Sequence, residues 1–170
     1  ETFQGAFMYF DSDLTTAEVR EKMGKLKPMY GFRSKWGYTN CAFMTAGEII
    51  PKVTGKSWAD FVTERIFKPL GMNNTLALSR DIKTAENKCL PHTVVMGELK
   101  KIPYGNIDNL APAGSISSSA NDMSKWVIMQ LNNGKLNGKE IIPASAIAQT
   151  RTPQSILGNG GHMFNKSHFS

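Results

Sequence analysis

Two polar side chains stand close together at positions 38–40. Tyr38 and Asn40, separated by Thr39, come just ahead of a run with helical spacing, CAFMTAGEIIPKVTG. A phenol can carry a proton to or from a reacting group when cations beside it make its oxygen a usable base. A carboxamide can donate to a substrate carbonyl and accept from a nearby amine. Two residues apart at a helix start, both can reach one cleft. Capping and packing are the alternative reading, since asparagine is a favoured N-cap and tyrosines are commonly half-buried. A lone Tyr-x-Asn is too short to choose between the two.

Other chemistry has little support. GKSWA at 55–59 approaches a Gly-x-Ser-x-Gly elbow but ends in alanine. There is no His-Glu-x-x-His, no P-loop and no EF-hand loop. No serine is followed three residues later by lysine. GNGG at 158–161 lacks a strand-to-helix setting and reads as a loop. Cys41 and Cys89 show no metal-ligand spacing, and His92, His162 and His168 form no cluster with them. Two free thiols are the default reading, with a disulfide as the alternative in an oxidising compartment. The expectation is no metal and no cofactor.

The elements that must position Tyr38 and Asn40 are mostly helical. TTAEVREKMGKL opens with a capping box, Thr15 with Glu18 three residues on, and Val19, Met23 and Leu26 form a stripe. The helix after Tyr38 carries Phe43, Ala46, Gly47, Ile50 and Val53 at helical spacing; Pro51 should shorten or kink it, and Gly55 should end it. Ser57 caps WADFVTERIF. Phe43, Ile50, Phe61, Val62 and Phe67 are expected to share one core. TVVMGELKKIP predicts a small hairpin with a Gly97–Glu98 turn. Ser118 or Ser119 caps ANDMSKWVIMQL, with Met123, Trp126, Val127 and Leu131 on one face. NNGKLNGKE reads as turns, and Pro143 opens a last short helix. Trp36, Trp58 and Trp126 are expected in the core or at its rim.

A length of 170 residues suffices for one domain with a real core, and 41% hydrophobic with 20% charged residues is ordinary for a globular chain. The net charge of +6 is spread out. Its densest group, Arg20, Lys22, Lys25 and Lys27, is interleaved with Glu18 and Glu21, which describes a solvated helix face and no nucleic-acid partner. No apolar run reaches the roughly 18 residues of a membrane span. The start, ETFQGAFMYF, has no signal-peptide pattern and reads as an excised piece.

Three blocks in fixed order, YTN at 38–40, VTGKSWADFVTERIFKPLGMNNT at 53–75 and APAGSISSSANDMSKWV at 111–127, resemble the serine β-lactamase family: class C β-lactamases, D-Ala-D-Ala carboxypeptidases and related esterases. LNNGKLNGKEIIPASAIAQTRTPQ continues the likeness, which spans about residues 15–154. The resemblance implies a mainly α chain: residues 1–170 as a single helical subdomain, with a short hairpin, of a larger hydrolase whose α/β part is missing here. It implies an acyl-serine mechanism in which Tyr38 and Asn40 are the catalytic Tyr-x-Asn motif. In the family the Ser-x-x-Lys precedes this region and the Lys/His-x-Gly follows it; no Ser-x-x-Lys occurs here and no Lys/His-x-Gly follows Tyr38, so no nucleophile is present and the isolated chain is expected to be inactive. Pro112, Ala113 and Gly114 would lie near the cleft mouth and touch substrate. The parent's substrate would be a β-lactam, a peptidoglycan-like D-Ala-D-Ala peptide or an ester, and its place the periplasm or cell envelope. An uncovered face would favour self-association. A helical binding module without catalysis, or a piece of a penicillin-recognising sensor, is the rival reading.

Overall fold

The structure is a computed structural model that describes residues 9–34 and 37–154. Helix α1 (Thr16–Gly24) starts at the expected capping box: the Thr15 amide donates to the Glu18 carboxylate at 2.8 Å, and Thr15 Oγ1 accepts from the Glu18 amide. Helices α2 (Asn40–Gly47) and α3 (Ile49–Thr54) follow, with Glu48 still helical between them. Pro51 falls in the first turn of α3, where a missing amide hydrogen costs little. Gly55, at φ 71°, ends the helix as expected.

The face that α2 buries shares only Gly47 with the expected stripe. Cys41, Met44 and Gly47 point inward, whereas Phe43 is 61% exposed and Val53 73% exposed. The reason is Gly47. A side chain there would bring its Cβ within 2.2 Å of Pro112 Cγ, so α2 can approach the 111–114 segment only along its glycine side. That contact sets the helix rotation and turns Phe43 outward.

Ser57 caps α4 (Trp58–Val62), its hydroxyl accepting from the Asp60 amide at 3.1 Å. The helix continues through a π-helical segment (Thr63–Phe67), where the Lys68 amide reaches back to the Thr63 carbonyl, into α5 (Lys68–Leu70). The wider turn comes just before Pro69, whose ring would otherwise crowd the preceding turn of an α-helix. A 3₁₀ segment (Ser79–Thr84) leads to β1 (His92–Val95) and β2 (Glu98–Lys101), which pair antiparallel. Their turn is Met96–Gly97, one residue earlier than expected. Both residues have positive φ, 52° and 83°, the signature of a type I′ turn, which matches strand twist.

A second 3₁₀ segment (Asp108–Leu110) runs into α6 (Ala111–Gly114), and Ser119 caps α7 (Ala120–Leu131). Here too the register differs from expectation. Asp122 and Met129 are buried, while Met123, Val127 and Leu131 face outward and Trp126 is half-buried. NNGKLNGKE, expected as turns only, holds a second small hairpin, β3 (Lys135–Leu136) with β4 (Lys139–Glu140). Its sequence carries Asn137–Gly138, a strong type I′ pair, at φ 50° and 79°. Helix α8 (Ala144–Arg151) closes the described chain.

Among the described residues the core is two clusters, not the single one expected. One gathers Val62, Phe67, Leu70, Met72, Ala77, Met129 and Ile147, with Trp58 and Trp126 packed against it. The other gathers Tyr9, Val19, Cys41, Met44 and Leu110. A crevice of about 280 Å³ opens between them, bordered by Met44, Gly47, Trp58, Arg80, Asp108 and Pro112. Trp36, most of the aromatic N-terminus, GNGG, His162 and His168 lie outside the described residues.

Buried polar groups tie the loops to the helices. Asp122, 1% exposed, accepts from the Asn74 amide at 2.7 Å, Thr75 Oγ1 at 3.0 Å and Lys125 Nζ at 3.1 Å. Burial pushes the Asp122 carboxyl up, but these donors outweigh it and hold it below the usual carboxylate range. Asp108 binds the amides of Ser79 and Arg80 in the same manner. Cys41 is buried and Cys89 exposed, and the two are not joined to each other.

Candidate functional site

Tyr38 lies just before α2 and is 59% exposed. Its hydroxyl donates to Asn40 Oδ1 at 2.7 Å. Asn40 is the first residue of α2, and the N-cap position is Thr39, whose side chain makes no capping bond. Asn40 therefore does not serve as the cap that its residue type suggests. Its Nδ2 instead donates to the Tyr9 hydroxyl oxygen at 3.1 Å.

The three side chains form a row from the interior to the surface: Tyr9 buried, Asn40 half-buried, Tyr38 exposed. Local packing accounts for the row. Cys41 and Met44 seat the first turn of α2 in the second cluster, so Asn40, one residue earlier, sits at that cluster's edge. Tyr9 is a member of the same cluster. Its strand of chain is pinned next door, where the Asp11 amide donates to the Asn106 carbonyl at 2.9 Å and the Asp11 side chain accepts from the Asn106 amide. Asn106 in turn accepts from the Asp108 amide, within the loop that Asp108 anchors to Ser79.

Among the described residues, the Tyr38 oxygen has no lysine or arginine hydrogen-bonded to it. The pair thus offers a hydroxyl that can still accept a hydrogen bond and an amide fixed at both ends. No group of three His, Cys, Asp or Glu side chains among the described residues could hold a metal ion.

Pro112, Ala113 and Gly114 make up most of α6. The Pro112 ring packs against Gly47, Ala113 leans on the second cluster, and Gly114 is exposed. The structure joins this segment to the helix that begins at Asn40. It does so at the far end, roughly 10 Å along the axis at 1.5 Å per residue.

Tyr9 is the site residue that sequence reasoning missed. It is 31 positions from Asn40, and no spacing rule links them. The only signal was an aromatic-rich segment without period, which marks neither strand nor helix.

The chain resembles known proteins in both sequence and fold. Beta-lactamase-like protein 2 of Dictyostelium discoideum is 24% identical over 159 residues, 91% of this chain and 27% of that protein. The beta-lactamase of Escherichia coli K12 is 25% identical over 140 residues, 79% of this chain and 36% of that one. Among solved structures, an octameric penicillin-binding protein homologue from Pyrococcus abyssi matches 81% of the chain at TM-score 0.70 and 20% identity. A D-stereospecific amidohydrolase from Streptomyces matches 82% at 0.67 and 23%. The chain spans 30% and 40% of those two structures. The structural likenesses establish the fold, as a helical part of the serine β-lactamase and penicillin-binding protein architecture. A family model described as Beta-lactamase matches residues 2–166, nearly the whole sequence, and the chain belongs to that family of hydrolases.

Proposed function

We propose that this chain supplies the Tyr-x-Asn face of an acyl-serine hydrolase, with Tyr38 and Asn40 as the residues that touch the reacting groups. The observation that carries the reading is the Tyr38–Asn40 hydrogen bond at an exposed helix start, with Asn40 held from behind by a buried residue. The nucleophile is proposed to come from residues outside these 170, since no Ser-x-x-Lys occurs among them.

In this reading the serine oxygen bonds to the substrate carbonyl carbon while its proton passes to the Tyr38 oxygen. The same proton then goes to the departing amine or alcohol as the acyl bond breaks. Lysine cations contributed elsewhere would favour the phenolate, the form of Tyr38 that can take the serine proton and hand it on. Asn40 holds Tyr38 and presents its amide to a substrate carbonyl. The substrate class is an amide or ester: a β-lactam, a D-Ala-D-Ala peptide or a simple ester. Fold likeness alone does not choose among these. Periplasm or cell envelope is the proposed place of the whole protein; among the described residues no helix is long and apolar enough to cross a membrane.

Replacing Tyr38 by Phe in the intact hydrolase deletes one exposed hydroxyl and keeps the ring. The expected result is a loss of about 10²–10⁴-fold in kcat for acylation, with the melting temperature unchanged. An unaltered acylation rate would remove Tyr38 from the mechanism. The isolated 170 residues are expected to turn over neither nitrocefin nor p-nitrophenyl acetate, because without the nucleophile only binding and electrostatics remain.

A further inference from the structure

Tyr9 has no part in the chemistry proposed above, yet it is the group that Asn40 holds on to. Its ring is 5% exposed and belongs to the cluster with Val19, Cys41, Met44 and Leu110. Its hydroxyl oxygen accepts from Asn40 Nδ2, while Asn40 Oδ1 accepts from Tyr38. A carboxamide rotates freely on its last torsion unless both ends are engaged. Here the inner end is engaged by a residue that cannot move without repacking the cluster.

We propose that Tyr9 is a positioning residue, which holds the Asn40 amide with its oxygen toward Tyr38 and so fixes where the Tyr38 hydroxyl sits. The proposal rests on Tyr38 and Asn40 being the reacting pair. The reach of Tyr9 to the surface is indirect: core packing sets the phenol, the phenol sets the amide, and the amide sets the exposed hydroxyl. The segment carrying Tyr9 is clamped by the reciprocal Asp11–Asn106 contacts, so its position does not depend on α2 alone. Asp11 itself has φ 48°, a conformation non-glycine residues adopt only where surrounding contacts demand it.

Tyr9→Phe tests this, with Val19→Ala as the control. Val19 is fully buried in the same cluster, and its truncation weakens the packing without removing the hydroxyl. In the full 170-residue chain, NMR should find the Asn40 side-chain amide protons close to the Tyr9 ring and slow to exchange. Both signatures should vanish in Tyr9→Phe and persist in Val19→Ala. In the intact hydrolase, Tyr9→Phe should lower kcat by about 10- to 100-fold, the range expected for a misplaced reacting group, with KM within about threefold. Val19→Ala should leave kcat near wild type at a temperature where it is folded.

Asn40 amide protons that lie by the Tyr38 ring, or that are equally mobile in wild type and Tyr9→Phe, would overturn the proposal. So would a kcat unchanged by Tyr9→Phe in an enzyme that Tyr38→Phe disables. If instead the intact protein hydrolyses no amide or ester, the functional reading fails, and the NMR result still decides whether Tyr9 holds the amide.

Discussion

Asp122 shows how much a single residue can conceal from sequence. In the first turn of a helix, an aspartate reads as a surface charge that complements the helix dipole. Here it is buried and collects three donors, joining the Met72–Thr75 turn to α7. Its folded carboxyl is held below the usual range, so the stability it contributes is present above the unfolded value near about 3.9 and is lost as pH falls through the folded value. Asp122→Asn should therefore cost about 2 kcal/mol at pH 7, a figure lowered because Lys125 is partly exposed. Urea melts should show the gap between wild type and variant narrowing below about pH 4. A gap that stays constant down to pH 3 would mean the carboxylate charge is irrelevant. Tyr38 and Asn40 could be singled out as candidates because their spacing is short and their flanks are distinctive. Asp122 and Tyr9 could not, because their partners lie 48 and 31 residues away.

At the scale of elements, caps and turns could be read and helix rotation could not. Thr15, Ser57 and Ser119 cap where their residue types suggest, and Gly55 ends α3, because each acts through neighbours three or four residues off. The inward faces of α2 and α7 were misassigned because a glycine in one helix and a buried carboxylate in the other outrank the apolar count. Gly47→Ala is the direct check. The new methyl would overlap Pro112, and the two helices would separate or strain, which should destabilise the chain by about 1–3 kcal/mol in a denaturant melt. A neutral outcome would show that α6 is free to yield, and that glycine does not set the rotation of α2.

For the molecule as a whole, the ordered blocks carried the architecture and composition added only that a core was affordable. What neither conveyed was that the apolar residues divide into two clusters, since that division depends on which helix faces turn inward. The crevice between the clusters gives the chain a seam. The cluster around Met129 and Ile147 joins α4, α5, α7 and α8, whereas the one beneath Asn40 rests on α1, the start of α2 and a pinned stretch of loop. Such a molecule need not open all at once. Native-state hydrogen exchange should sort its amides into two cooperative groups, with Met129 protected longer than Val19 and Met44; one uniform class would show that the seam is cosmetic. If the groups separate, the Tyr38 surface sits on the softer of two foldons. Its order is then a local equilibrium, which a substrate or a covering domain can shift while the rest of the chain stays folded.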